Sequence, residues 1–275
     1  MDFSLISKLL ALFVVTQALG LAVGIDLIQK INAGEIEQPH IVTENPGDIE
    51  NALGLFGYII FFTIIILLAI RFIWREWFFR VLEALAVFAS AFLVFSVFVP
   101  EAAAMLAALL VLLRVVLKES LWLRNIAGII AVAGAGALVG VSLGFLPVLV
   151  FIALLAVYDV IAVFGTKHMV VMAKALAKSN LAFTYALPTK KHQFELGAGD
   201  MVIPLAFSVS VLREGFSIGF PNYLLVPVLV LLGSAIGLIA TLEYSSRNVG
   251  KALPALPAQT ALMILMLAVS RALGF

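Results

Sequence analysis

The sequence contains no cysteine, which excludes disulfides, thiol catalysis and cysteine-ligated metals. Histidine is nearly as scarce, and His40, His168 and His192 all fall in polar connections. There is no His-Glu-x-x-His pattern to bind zinc on a helix, and no apolar segment holds a histidine to act as base for a serine nucleophile. Neither a metal nor any other cofactor is expected. Charge is the third shortage: 12% of the 275 residues are charged and 64% are hydrophobic, and the mean hydropathy is +1.18. Such a chain belongs in a lipid bilayer. Nucleic acid is not an expected partner, and no soluble domain, low-complexity tract or convincing internal repeat interrupts the pattern.

What is present is a series of long apolar runs. Backbone groups in hydrocarbon must be satisfied internally, and runs of about 20 residues fit helices rather than the short alternating strands of a barrel. An all-α, polytopic bundle of nine spans is expected. The first five cover roughly Phe3 to Ile25, Ala52 to Phe72, Val81 to Val99, Ala102 to Leu117 and Ile126 to Leu143. The rest cover Leu146 to Gly165, Leu196 to Leu212, Tyr223 to Leu242 and Pro254 to Ala272. The first span is too long for a removable signal peptide and lacks a small-residue cleavage site, so it is read as an uncleaved anchor. The whole chain, 1–275, is one domain, with an acidic outer loop at 26–51 and a basic inner connection at 166–195.

Orientation follows from lysine and arginine. With the N-terminus inside, the inner connections hold 14 of the 17 basic residues, and only Lys30, Arg213 and Arg271 lie outside. The outer loop is acidic instead, with Glu35, Glu37, Glu44, Asp48 and Glu50. An N-in, C-out topology satisfies the positive-inside rule.

Of the 16 carboxylates, eight fall outside and six at inner ends, including Glu83 and Glu195. Two remain within spans. Asp159, in LLAVYDVIAVFG, lies about 10 Å from the inner surface, and Asp200, after Gly197-Ala198-Gly199, lies about 6 Å from it on the next, antiparallel span. A buried ionisable group costs roughly 2.5 to 3.5 kcal/mol on insertion scales, which makes each a functional-site hypothesis. Two carboxylates brought together cannot both ionise. One proton shared by the pair is the arrangement with which an aspartic protease activates water and polarises a carbonyl.

Gly197 and Gly199 remove side chains beside Asp200, so that water or an extended backbone can approach it. Pro254 and Pro257 mark the start of the ninth span, read on physics alone as a plain helix start, with an irregular entry lining a cavity as the alternative. Other glycines, Gly136, Gly140, Gly144, Gly233 and Gly237, read as close helix contacts. The residues alone leave two alternatives open: an ion- or proton-coupled transporter or channel using the two acids, and a leader-peptidase-type Gly-x-Gly-Asp protease.

Tyr158-Asp159 in the sixth span, Leu196-Gly197-Ala198-Gly199-Asp200 in the seventh and Pro254-Ala255-Leu256 opening the ninth resemble the three signatures of the presenilin and signal peptide peptidase family of intramembrane aspartyl proteases. The resemblance extends over essentially the whole chain and is closest to microbial, archaeal-type homologues, in the cell membrane of a microbe. It implies that Asp159 and Asp200 are catalytic, supported by Tyr158, Gly197, Gly199, Pro254, Ala255 and Leu256. With a cytoplasmic N-terminus it implies the presenilin-like branch. Its substrates are then transmembrane proteins in the bilayer, single-span with the N-terminus outside. The compact sixth-to-seventh connection sets this chain apart from animal presenilins, and accessory subunits are not expected. Because a peptide bond within a helix is inaccessible, the substrate must unwind and add as a strand to exposed backbone. Phe183, Thr184 and Tyr185, in LAFTYALP, are candidates for the receiving strand; the alternative for this stretch is a disordered loop.

Overall fold

The structure, a computed structural model, describes residues 3–72, 76–166, 180–188, 193–218, 223–247 and 253–274. Among them the chain forms nine α-helices and one hairpin: α1 (Phe3–Asn32), α2 (Ile49–Phe72), α3 (Glu76–Phe98), α4 (Ala103–Val116), α5 (Leu121–Ser142), α6 (Phe145–Val160), β1 (Thr184–Pro188), β2 (Gln193–Gly197), α7 (Gly199–Ile218), α8 (Leu225–Arg247) and α9 (Leu256–Ala272). Each expected span overlaps one helix. Several helices run past the apolar stretch that announced them, because backbone hydrogen bonding continues beyond the hydrocarbon edge. Thus α1 ends at Asn32 and α5 begins at Leu121.

Among the described residues, six helices are long and apolar enough to cross a membrane. Of the others, α9 has 17 residues and α4 has 14, while α7 has 20 but carries Asp200, Arg213 and Glu214.

The organising element is α7, which packs against α1 and α5 on one side and against α6 and α8 on the other. Its approach to α1 and α5 depends on glycine pairs four residues apart, one turn each. Gly20 and Gly136 both face Leu205, and Gly24 and Gly140 both face Val209. A Cβ on Gly24 would come within 2.8 Å of Val209, and one on Gly140 within 2.6 Å. Small residues let the backbones close without a hydrophobic drive that lipid would otherwise cancel. Gly233 and Gly237 do the same between α8 and α9, where added Cβ atoms would lie 2.7 Å from the Leu262 carbonyl oxygen and 2.8 Å from the Gln259 backbone. Gly144 differs from its neighbours. It caps α6 and donates its amide to the Pro46 carbonyl at 2.6 Å, so it packs on the outer loop rather than on a helix face.

Two large apolar clusters flank α7. One joins α1, α5, α7 and the hairpin through Leu9, Phe13, Val132, Tyr185, Leu196 and Leu205. The other joins α6, α7 and α9 through Ile152, Leu155, Phe207, Leu256 and Met263. The connection at 166–195 holds the hairpin, and its residues 167–179 lie outside the described ones, while Leu196 and Gly197, expected to begin the seventh span, end β2 instead.

Candidate active site

Asp159 stands in the last turn of α6 and is 4% exposed. Its Oδ2 accepts a hydrogen bond from the backbone N–H of Leu256 at 3.2 Å. That amide is available because it lies in the first turn of α9, where N–H groups have no intrahelical acceptor. Pro254 and Ala255 precede the helix without side-chain capping, and Pro257 follows at its second position. The start of a helix, with Pro254 before it and Pro257 at its second position, thus presents a backbone donor to the carboxylate. Immediately after Asp159 the chain widens into a π-helical turn, Ile161–Gly165, with the Thr166 amide donating to Ile161 at 3.0 Å. Such turns recur at functional sites.

Asp200 lies in the first turn of α7 and is half-buried. Its charge falls within electrostatic reach of Asp159. Three features shape its surroundings. Ala198 accepts from the amides of Met201 and Val202, both at 3.0 Å, which anchors the helix start. Pro204 has no N–H to return to the Asp200 carbonyl, so that turn is locally loosened. Gln17 of α1, 3% exposed, donates to the Met201 carbonyl at 3.0 Å and ties the loosened turn to the bundle.

The glycines beside Asp200 have no positive φ. Their reason is space. A Cβ on Gly199 would meet nothing within 4 Å, and one on Gly197 would sit 3.6 Å from the Asp200 carboxylate. Tyr158 stacks edge-to-face on Phe56 of α2 with ring centroids 5.9 Å apart.

The hairpin delivers the chain to Asp200. β1 and β2 pair antiparallel, with Tyr185 opposite Leu196 and Ala186 opposite Glu195. Ala186 gives its N–H and C=O to the Asn125 side chain of α5, both at 2.9 Å. In an antiparallel pair a residue exchanges both bonds with its opposite or neither. Ala186 and Glu195 are thus a non-hydrogen-bonded pair, and the backbone groups of Glu195 and, by alternation, Gly197 face away from β1. The Ala198 amide, donating to Phe183 at 2.9 Å, keeps the same alternation. The strand expected near Leu181 to Pro188 exists, but its outer edge meets α5. Tyr185 is fully buried in the core, Thr184 bonds to Glu195 at 2.8 Å, and Phe183 packs beside Leu181 and Phe79. The outward edge belongs to β2.

Sequence reasoning placed Glu83 and Glu195 at inner ends of spans and counted Arg114 and Arg124 among the basic residues of the inner connections. In the structure Glu83, Arg114 and Arg124 are 4%, 3% and 1% exposed, and two ion pairs, Arg114 with Glu83 and Arg124 with Glu195, bracket the hairpin. A cue was present in Phe194-Glu195-Leu196, whose apolar-polar alternation reads as a strand. Among the described residues no cluster of histidine or acid suits a metal ion.

The sequence profile of the family described as signal-peptide peptidase, presenilin aspartyl protease matches residues 10–270. Two solved structures share the fold, each described as a presenilin family intramembrane aspartate protease. The form in space group C222 has 21% identity and a TM-score of 0.65, with 96% of this chain and 95% of that one covered. The form in P2 has 25% identity and a TM-score of 0.65, with 96% and 98% covered. Among curated proteins none matches the chain.

Proposed function

Because this chain belongs to the signal-peptide peptidase and presenilin family of aspartyl proteases, and is a multi-pass intramembrane aspartic endopeptidase acting on transmembrane substrates, we propose that Asp159 and Asp200 are its catalytic pair. What supports this is that α6 packs against α7 with the two acids at their adjoining ends, and that the Leu256 amide donates to the Asp159 carboxylate. One proton is shared between them. The ionised member takes a proton from water, whose oxygen attacks the scissile carbonyl carbon, while the protonated member donates to the carbonyl oxygen. The member that took the water's proton then gives it to the amide nitrogen while the other takes back a hydroxyl proton of the tetrahedral diol, so the C–N bond breaks, an acid and an amine leave, and one proton again rests on the pair.

Gly197-Ala198-Gly199-Asp200 acts as the family's Gly-x-Gly-Asp element, and Pro254-Ala255-Leu256 supplies the amide that orients Asp159. Tyr158 supports the site from behind by holding α6 against α2. The unwound substrate adds as a third strand along the outward edge of β2, next to Gly197, rather than along β1; Phe183, Thr184 and Tyr185 serve by shaping β1 behind it. The bundle crosses the membrane nine times, N-terminus inside and C-terminus outside, a reading supported by the distribution of basic residues. Substrates are single-span with their N-terminus outside. No accessory subunit is required, and the enzyme works in the cell membrane of a microbe, a reading supported by the short connection between α6 and α7.

The test is cleavage of a single-span substrate by the purified chain in vesicles, followed across pH. A bell-shaped profile is expected, together with competitive inhibition by a non-cleavable peptide mimic carrying a hydroxyl at the scissile position. Reconstituted protein that moves ions or solute in an Asp159- and Asp200-dependent way, with no inhibitor-sensitive cleavage at any pH, overturns the reading.

A further inference from the structure

The guanidinium of Arg124, 1% exposed, is used on all sides by the hairpin. Its Nε donates to the Thr184 carbonyl at 2.8 Å, Nη1 donates to the Asn180 side-chain carbonyl at 2.9 Å, and Nη2 donates to both the Thr184 hydroxyl and the Glu195 carboxylate. One side chain of α5 thus holds the turn before β1, β1 itself and β2. The turn is braced independently. Asn180, at φ 50°, donates to the Lys118 carbonyl at 2.6 Å and accepts from Arg114 at 2.7 Å through its own carbonyl. Arg114 in turn binds Glu83 at 2.8 Å, and Glu83 accepts the Ala182 amide at 2.9 Å.

Apolar packing holds a strand down as well as a buried ion pair does, so stability does not explain a buried arginine. Packing does not fix a strand along its own axis. A rigid fork of donors aimed at defined acceptors on both strands does, since any slide breaks several bonds at once. A one-residue slip would invert the faces of a strand, whereas a two-residue slip preserves face and hydrogen-bond pattern, so the latter is the error to guard against.

We propose that Arg124, acting through Glu195 and Thr184, is a positioning residue that fixes the register of β2 against Asp200 and thereby selects which peptide bond of a transmembrane substrate reaches the dyad. This rests on the reading of β2 as the substrate edge. The dyad performs the chemistry, and Arg124 decides where along the substrate it falls.

The experiment compares the full-length wild type with Glu195→Gln, Thr184→Val and Arg124→Lys, all reconstituted in vesicles with one single-span substrate, and maps product ends by mass spectrometry. The expected result is a second set of ends displaced by two residues from the principal cut, with KM raised about five-fold and kcat little changed. Glu214→Gln, at the far end of α7, leaves the ends where they are. If Arg124→Lys fails to fold, the two milder variants decide the matter. Folded variants that cut only at the wild-type position overturn the proposal, whether turnover is preserved or reduced, because reduced turnover at an unchanged position is what a merely structural role would give. Persistent cleavage by Asp159→Asn or Asp200→Asn would instead sink the catalytic assignment, so the two failures are distinguishable.

Discussion

Glu83 and Glu195 lie at much the same end of the bundle as Asp159 and Asp200, yet the two pairs of acids are kept in opposite ways. Each glutamate meets an arginine, Arg114 for Glu83 and Arg124 for Glu195. Among the described residues the aspartates meet no cation. Asp159 has a backbone amide, and Asp200 has the field of Asp159. A carboxylate bonded to a guanidinium has its oxygens taken by fixed donors, so it can orient but is not placed to act on a substrate. A carboxylate facing another carboxylate must share a proton, which is what acid and base roles within one turnover require. Depth in the membrane does not separate structure from chemistry here; the partner does.

The largest effect that sharpens this contrast is on activity. Asp159→Asn and Asp200→Asn should each lower kcat/KM by at least about a thousand-fold, since either change removes the shared proton's exchange. Both should leave the thermal unfolding midpoint in detergent unchanged or raised, because a buried charge has been removed. Glu83→Ala should behave in reverse. It strands the Arg114 guanidinium and deprives the Ala182 amide of its acceptor, at a cost of about 3–5 kcal/mol in unfolding free energy. Its residual activity should keep the wild-type pH profile. A Glu83→Ala protein as stable as wild type, or one with a displaced pH optimum, would break the distinction between the pairs.

How much of this was legible in advance follows from the same contrast. Asp159 and Asp200 stood out because every other acid lay outside an apolar run or at its very end, and linear depth is something a sequence encodes directly. The glutamates did not stand out, since depth says nothing about which face a side chain takes. Their partners are also remote, 31 residues from Glu83 to Arg114 and 71 from Arg124 to Glu195. The same blindness hid the role of Asn125, an ordinary polar residue near a helix start until β1 lies against it. The strand itself was half visible. Thr184 and Tyr185 carried β propensity, but β2 is five residues long and merges into the apolar opening of α7, so its period of two was absorbed into the helix that follows. The prolines of the ninth span marked where its helix begins, while the acceptor of that helix's first amide, Asp159, is a tertiary fact.

A smaller contrast divides the glycines, and it yields the smallest predicted change in stability. A Cβ at Gly140 would lie 2.6 Å from Val209 and 2.7 Å from the Ala206 carbonyl oxygen, where backbone would have to move, whereas at Gly199 it would meet nothing within 4 Å. Gly140→Ala should therefore destabilise the fold by about 1–3 kcal/mol, the cost of overpacking, with catalysis by the folded fraction little altered. Gly199→Ala occupies vacant space in the first turn of α7 and should change stability by less than about 0.5 kcal/mol. If that space receives the substrate backbone as it leaves the edge of β2, the same methyl group should lower kcat/KM about ten-fold, roughly 1.4 kcal/mol at the transition state, chiefly through KM. Unfolding curves and initial rates on the two proteins read this directly. A Gly199→Ala enzyme with wild-type kinetics would place the substrate elsewhere, and would leave Gly199 as a residue that merely starts a helix.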